Sequence, residues 1–185
     1  MASLIYTALA SLDGFIEDDE GSFDFAFPDA EVHGVANELE AGIGTHLFGR
    51  RMYETMAVWQ DVTEGPGVSA EEVDFAATWR DLDKVVYSTT LDEIWTPRTE
   101  LLREFDPAEV RARLDAADRD ISISGPGLAQ HAFRAGLVDE IHLFLFPVVV
   151  GGGKPGLPRD VRLDLELVDE HRFASGVVHL HLRPR

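Results

Sequence analysis

The chain contains no cysteine. That absence excludes a disulfide framework, a thiol nucleophile and a Cys-based zinc site, and with them the zinc deaminase signature. Positive charge is also scarce: 16 Lys and Arg against 34 Asp and Glu leave a formal net charge of −18. Such a field repels nucleic acid and anionic membranes, so neither is an expected partner. No apolar run approaches a membrane span, and MASLIYTALA lacks a basic leader before it turns polar at Ser11 to Asp13. The expectation is a cytoplasmic protein. What remains is a 185-residue chain, 45% hydrophobic, which suits one domain over residues 1–185.

Alternation and 3.6-residue spacing divide that chain into strands and helices. Leu4 to Leu9 reads as a first strand ending in an Asp13-Gly14 turn, followed by an acidic loop, Glu17 to Ser22, and an aromatic one, Phe23 to Phe27. Pro28 and Asp29 open a helix with Val32, Val35, Ala36 and Leu39 on one side. Thr45 to Phe48 is a strand, and Met52, Met56 and Trp59 form the core stripe of the next helix. A helix over Glu71 to Arg80, strands at Lys84 to Tyr87 and Thr99 to Arg103, and a helix begun by Asp106-Pro107 follow. Val161 to Leu167 and Val178 to Leu182 alternate as a hairpin around Phe173 to Gly176. His179 and His181 share one of its faces, where they are expected to face solvent; no carboxylate spacing completes a metal site with them or His171.

The centre of the pattern is Asp120 to Gly153. Ile121 and Ile123 mark a strand, Gly125-Pro126-Gly127 a turn, Leu128 to Phe133 a helix, and Ile141 to Val150 a strand buried on both faces. A glycine turn feeding a helix presents free N–H groups and the positive end of the dipole to one spot, which either binds an anion or only makes a tight corner. A standard dinucleotide fold would carry an acid about 20 residues past the first glycine; Leu145 stands there. Gly151 to Gly156 lacks the order of a phosphate loop and reads as a flexible reversal.

Two arginines, Arg50 and Arg51, open a helix where the macrodipole favours acids. Either they bend away to surface carboxylates or they hold a phosphate, whose charge-assisted hydrogen bonds outweigh the dipole cost. Ser88, Thr89 and Thr90 end another strand, where hydroxyls cap a turn or contact the same phosphate. Asp13 is either a catalytic group or the cap of its Asp-Gly turn.

The chain resembles the dihydrofolate reductase superfamily, most closely the reductase domain of the bifunctional riboflavin-biosynthesis deaminase/reductase. The resemblance rests on SLDGFIED at Ser11 to Asp18, LFGRRMYETM at Leu47 to Met56, VVYSTTL at Val85 to Leu91, and SGPGLAQHAFRAGLVDEIHLFLFPVVVGGGKP at Ser124 to Pro155. It implies an α/β fold of three layers, a mixed, mostly parallel sheet with an antiparallel C-terminal strand and flanking helices. It also implies NADPH held by Gly49, Arg50, Arg51, Met52, Ser88, Thr89, Gly125, Pro126, Gly127, Leu128 and Ala129. Asp13 then faces the substrate, with Asp24 and Phe25 in the adjoining loop, and His33 stands near the position of the acid that anchors the pterin in dihydrofolate reductases. Riboflavin reductases usually carry an acid just before the double glycine; Ser124 stands there, which departs from the ribosylamino-pyrimidine pattern. The implied activity is hydride transfer from NADPH to a C=N or C=O bond of a small heterocyclic or sugar-derived substrate. The alternative is an NADPH-binding module or sensor without turnover. A homodimer is expected through the Ile141 to Val150 strand, the glycine reversal and the C-terminal hairpin.

Overall fold

A computed structural model describes all 185 residues. Ten strands and five α-helices alternate along the chain: β1 (Leu4–Ser11), β2 (Phe15–Glu17), α1 (Ala30–Glu40), β3 (Ile43–Gly49), α2 (Arg50–Met56), α3 (Ala70–Asp81), β4 (Asp83–Tyr87), β5 (Thr99–Leu102), α4 (Pro107–Ala116), β6 (Asp120–Ser124), α5 (Pro126–Arg134), β7 (Glu140–Phe146), β8 (Lys154–Pro155), β9 (Leu165–Arg172) and β10 (Val178–Pro184). Eight strands form one sheet in the order β5-β4-β3-β6-β1-β7-β10-β9. The pairs from β5 to β7 are parallel, and β10 runs antiparallel to both β7 and β9. Helices cover both faces, as expected of the three-layer α/β arrangement. None is long and apolar enough to cross a membrane.

Successive residues of a strand point to opposite faces, so each central strand feeds two cores. On one face Tyr6, Leu47, Val85, Ile123 and Ile141 pack with Val110 and Leu114 of α4 and with Leu128, Ala132 and Phe133 of α5. On the other, Phe48 and Val86 meet Tyr53 of α2, while Phe144 and Phe146 meet Val32 near the start of α1. Each fully buried aliphatic or aromatic side chain contributes about 1.5–3 kcal/mol. The near-continuous apolar run of β7 is explained by burial on both faces.

Several elements differ from the sequence reading. β7 stops at Phe146, not Val150, because Pro147 has no N–H to donate; Val148 N–H instead donates to the Phe146 carbonyl in a tight turn of 2.8 Å. The chain then crosses to the end of β1, where Leu12 N–H donates to the Val148 carbonyl at 2.8 Å. β7 lies between β1 and β10 and so offers no free edge to a second copy. α2 ends at Met56 and tightens into a 3₁₀ turn over Ala57–Gln60. That tightening takes Trp59 out of the stripe of Met52 and Met56 and sets its ring 4.8 Å from Phe75 of α3. The C-terminal hairpin forms, but β9 begins at Leu165, so Val161 and Leu163 precede it.

One buried cation closes a helix. Lys84 is 1% exposed. Its ammonium donates to the Trp79 and Leu82 carbonyls at 2.9 and 2.6 Å, satisfying acceptors that the end of α3 leaves open, and sits 4.4 Å from the Trp79 ring centroid. Burial, with Arg98 nearby, pushes its pKa down to about 8.

The histidines of β10 are not solvent-facing. His179 is 7% exposed and stacks between His142 and Phe144, with ring centroids 5.1 and 4.5 Å away; His181 stacks on the other side of His142 at 4.3 Å. The outward half of the alternation faces β7 side chains on the same side of the sheet, so polarity alone misassigned it. Burial, with the two neighbouring imidazoles, pushes His142 down to about 4, and the ring is neutral near pH 7.

Candidate active site

Two strand-to-helix turns lie side by side because β3 and β6 are parallel neighbours, with Phe48 opposite Ser124. From them α2 and α5 start toward one cavity of about 590 Å³. The helices elsewhere are capped by side chains: Asp29 accepts from Val32 N–H, Ser69 from Glu72 N–H in a full capping box, and Asp106 from Ala108 N–H. α2 and α5 have no side-chain cap, and glycine precedes each. Capping residues satisfy N–H groups that otherwise need an acceptor. The two helices at the cavity leave those N–H groups open to solvent or to a ligand.

Gly125 takes a φ of +87°, which side chains other than glycine rarely adopt, and an added Cβ would stand 3.4 Å from Met52 Cβ. This tight corner lets α5 begin directly beside α2. Leu128 and Ala129 N–H return to the Gly125 carbonyl, at 3.2 and 3.0 Å. Pro126 has no N–H, which leaves that of Gly127 as the free donor at the head of the helix.

Gly49, Arg50, Arg51, Met52, Gly125, Pro126, Gly127 and Leu128 all line the cavity. Ala129 is fully buried among the core residues. Ser88 and Thr89 do not line it: Ser88 Oγ accepts from Thr90 and Leu91 N–H at 3.2 and 3.0 Å, which is the turn-capping role. Thr90 is the residue that reaches across, accepting from Arg50 Nη1 at 3.1 Å on its hydroxyl. The remaining walls come from Ile16, Glu17, Gly21, Phe23, Glu54, Thr55, Ser124 and Lys154.

Lys154 and Glu17 were missed because Gly151 to Gly156 looks like a flexible reversal. It is instead fastened throughout. Lys154 and Pro155 pair with Phe15 and Glu17 as the β2–β8 ladder, Gly156 N–H donates to the Gly14 carbonyl at 2.9 Å, and Tyr6 Oη donates to the Gly156 carbonyl. The signal lay in the close approach that three successive glycines permit.

Three cations thus meet two carboxylates. Arg50 Nε donates to Glu54 Oε1 at 2.8 Å, while Glu17 lies 3.6 Å from Arg51 Nη2 and 3.4 Å from Lys154 Nζ. Both readings of the arginine pair therefore have geometry behind them: the side chains have acidic partners and also wall the cavity. Exposed pairs of this kind are worth about 0–1 kcal/mol, less than the roughly 1.5–3 kcal/mol of a hydrogen bond to a charged phosphate.

The expected substrate side is divided. Asp13 is exposed and outside the cavity wall; its oxygens accept from Val150 N–H at 3.2 Å and Gly151 N–H at 2.8 Å. The Ser11 hydroxyl first, and then these backbone donors, hold its pKa below the ordinary carboxylate range. It is ionised near pH 7, an acceptor and not a proton donor. Asp24 is exposed at the start of a 3₁₀ turn, Asp24–Ala26, whose last residue is buried. Phe25 lines a second cavity of about 330 Å³ with Phe27, Phe146 and Val177, whereas Phe23 lines the first. His33 does not reach either cavity, because its ring faces Phe75 and Trp59 at 5.9 and 6.2 Å.

The family model described as the RibD C-terminal domain matches residues 2–179. The chain belongs to the RibD C-terminal domain family. Its members are reductase domains of the riboflavin-biosynthesis type with a dihydrofolate reductase-like fold. The chain is 31% identical over 183 residues to the uncharacterized protein YyaP of Bacillus subtilis (strain 168), covering 96% of this chain and 92% of that one. Solved structures share the RibD-type fold. A riboflavin biosynthesis protein of Shewanella sp. PV-4 superposes with a TM-score of 0.74 at 19% identity, over 99% of each chain. A pyrimidine reductase-like protein of Corynebacterium diphtheriae gives 0.69 at 12% identity, over all of this chain and 92% of the other. The deaminase/reductase of Thermotoga maritima also gives 0.69, at 16% identity, and there the RibD-type chain spans 57% of the longer protein.

Proposed function

We propose that the chain is an NADPH-dependent reductase that delivers hydride to a C=N or C=O bond of a small heterocyclic or sugar-derived substrate. The observation that carries this reading is the pair of uncapped helix starts and three cations meeting in one cavity, in a molecule whose net charge is −18. Diffuse attraction of anions does not account for a local cationic site in so acidic a chain. The cavity is within the usual range of about 300–1,000 Å³ for small-molecule sites.

Arg50 and Arg51 grip the 2′-phosphate and Lys154 the pyrophosphate, with Thr90 orienting Arg50. The backbone of Gly49, Met52, Gly125, Pro126, Gly127 and Leu128 forms the cradle, and Gly127 supplies the free N–H. NADPH, when bound, supplies the hydride. The protein contributes position: holding two reacting carbons at about 3–3.5 Å is worth roughly 7–11 kcal/mol. Phe23 offers the cofactor cavity an aromatic face suited to a planar ring, with Asp24 next to it in the chain, while Phe25 and Phe27 line the second cavity. Asp13 bridges its loop to Val150 and Gly151 and orients water as an acceptor; the proton reaches the product from solvent.

The test is oxidation of NADPH by the purified chain across pterins, ribosylated pyrimidines of flavin synthesis and keto compounds. Turnover with one class is the expected result. NADPH binding, seen as a raised melting temperature, with no oxidation across the whole panel would leave the non-catalytic module in its place.

We propose further that the chain is a homodimer, paired through β9 instead of β7. β9 is one of the two edges of the sheet, and Leu167 and Val168 on it are 53% and 43% exposed. Light scattering at micromolar concentration should give twice the 20.5 kDa chain mass, and a monomer there would exclude the dimer.

A further inference from the structure

At the amino end of β7, away from the cofactor cavity at the carboxyl ends of β3 and β6, a carboxylate and two imidazoles converge. Glu140 Oε2 lies 2.8 Å from His181 Nε2 and 3.8 Å from His142 Nε2. The three atoms fall within 4.8 Å of one another. Glu140 and His142 alternate on β7, and His181 stands opposite His142 on β10. The backbone register itself therefore assembles the group.

We propose that Glu140, His142 and His181 form a binding site for a borderline transition-metal dication such as Zn²⁺. Two imidazoles and one carboxylate are a ligand set for such ions, whereas Mg²⁺ and Ca²⁺ take oxygen ligands almost exclusively. With metal–ligand bonds of about 2.0–2.2 Å, tetrahedral ligands stand roughly 3.3–3.5 Å apart. The present separations of 2.8 and 3.8 Å from Glu140 bracket that spacing, and the stacked rings of His142 and His181 swing apart so that both lone pairs face one ion.

The surroundings prepare each ligand. His142 Nδ1 lies 2.9 Å from His179 Nε2. With the shared proton on His142, the lone pair of Nε2 is turned toward Glu140, which is how an outer partner fixes the tautomer of a ligating histidine. Arg183 Nη2 donates to the other carboxylate oxygen, Glu140 Oε1, at 2.8 Å and leaves Oε2 for the metal. The Arg183 charge opposes a dication, but its side chain is 52% exposed and screened by solvent. Binding displaces the His181 to Glu140 contact, replaces it with two stronger bonds, and pins the only antiparallel strand of the central sheet to β7. Water fills the fourth position, and the bound ion acts as a clamp between β7 and β10.

The experiment titrates Zn²⁺ into chelator-treated protein by calorimetry, and follows Co²⁺ by visible absorption. One Zn²⁺ per chain is expected, with tetrahedral Co²⁺ bands and a melting temperature raised by roughly 5–10 °C at a hundredfold excess over Kd. His181→Ala and Glu140→Gln should each weaken Zn²⁺ at least about tenfold and abolish the Co²⁺ bands, while His171→Ala should change neither. His181 and Glu140 are only partly buried, so these variants report on the site even where His142→Asn fails to fold. Substoichiometric binding, or affinity unchanged in both variants, overturns the site. Zn²⁺ that follows His171 instead also overturns it. NADPH binding is unaffected in every case, which separates this outcome from that of the reductase reading.

Discussion

Replacing both Arg50 and Arg51 by alanine is expected to raise the dissociation constant for NADPH by about 10²–10³-fold, while that for NADH moves by about threefold or less. The two guanidinium groups form charge-assisted hydrogen bonds worth roughly 1.5–3 kcal/mol each. Part of that is offset, because binding breaks the Arg50–Glu54 and Arg51–Glu17 contacts, at about 0–1 kcal/mol each. NADH lacks the 2′-phosphate and forfeits little. The variant keeps its fold. Both side chains are largely exposed, and removing cations from the first turn of α2 relieves an unfavourable dipole interaction of about 0.3–1 kcal/mol apiece. Its melting temperature should therefore hold or rise, so weakened binding is not confused with unfolding. Calorimetric titration of the two nucleotides decides the matter: equal losses for both remove the 2′-phosphate assignment.

Gly153→Ala is expected to produce the largest loss of stability among single-methyl additions to this chain. A Cβ at Gly153 would stand 2.0 Å from the Glu17 carbonyl oxygen and 2.7 Å from Asp18 backbone atoms, and the residue's φ of +121° is one that alanine rarely occupies. The obstruction is the Glu17–Asp18 backbone, so no rotamer change relieves it. The β2–β8 ladder must open, at a cost of about 2–4 kcal/mol, or roughly 5–15 °C in melting temperature. Lys154 and Glu17 move with it, and NADPH affinity should fall as well. Gly127→Ala is the control, since a Cβ there meets nothing within 4 Å and φ is ordinary. Thermal unfolding of the two variants side by side is the measurement. A Gly153→Ala melt within about 1 °C of the parent would mean the segment is as loose as its composition suggests.

Most of the sheet was legible in the sequence because its central strands are buried on both faces and bounded by Gly, Pro and Asp. β3, β4, β6 and the starts of α1 and α4 fall where the pattern put them. Arg50 and Arg51 stood out because cations in a helix's first turn break a local rule, whereas the other cavity-lining residues of the Gly49 and Gly125 turns were implied by the family resemblance. What could not be read is contact between segments far apart in the chain. His179 looked exposed on its own strand because its partners, His142 and Phe144, lie on another. Lys154 looked idle because Glu17 and Arg51 come from the opposite half of the sequence. Ser88 misled for a local reason: a hydroxyl that caps its own turn has the same signature as one that awaits a phosphate.

The position of β1 has a further consequence for how the molecule is made. Tyr6, in the first strand of the sheet, pairs with Ile123 on one side and Ile141 on the other, both over a hundred residues downstream. Closing such wide loops demands that backbone freedom be surrendered before any pairing rewards it. β1 is made before every other strand of its sheet and must therefore wait, unpaired, until β6 and β7 emerge, and only then can the middle of the sheet knit together.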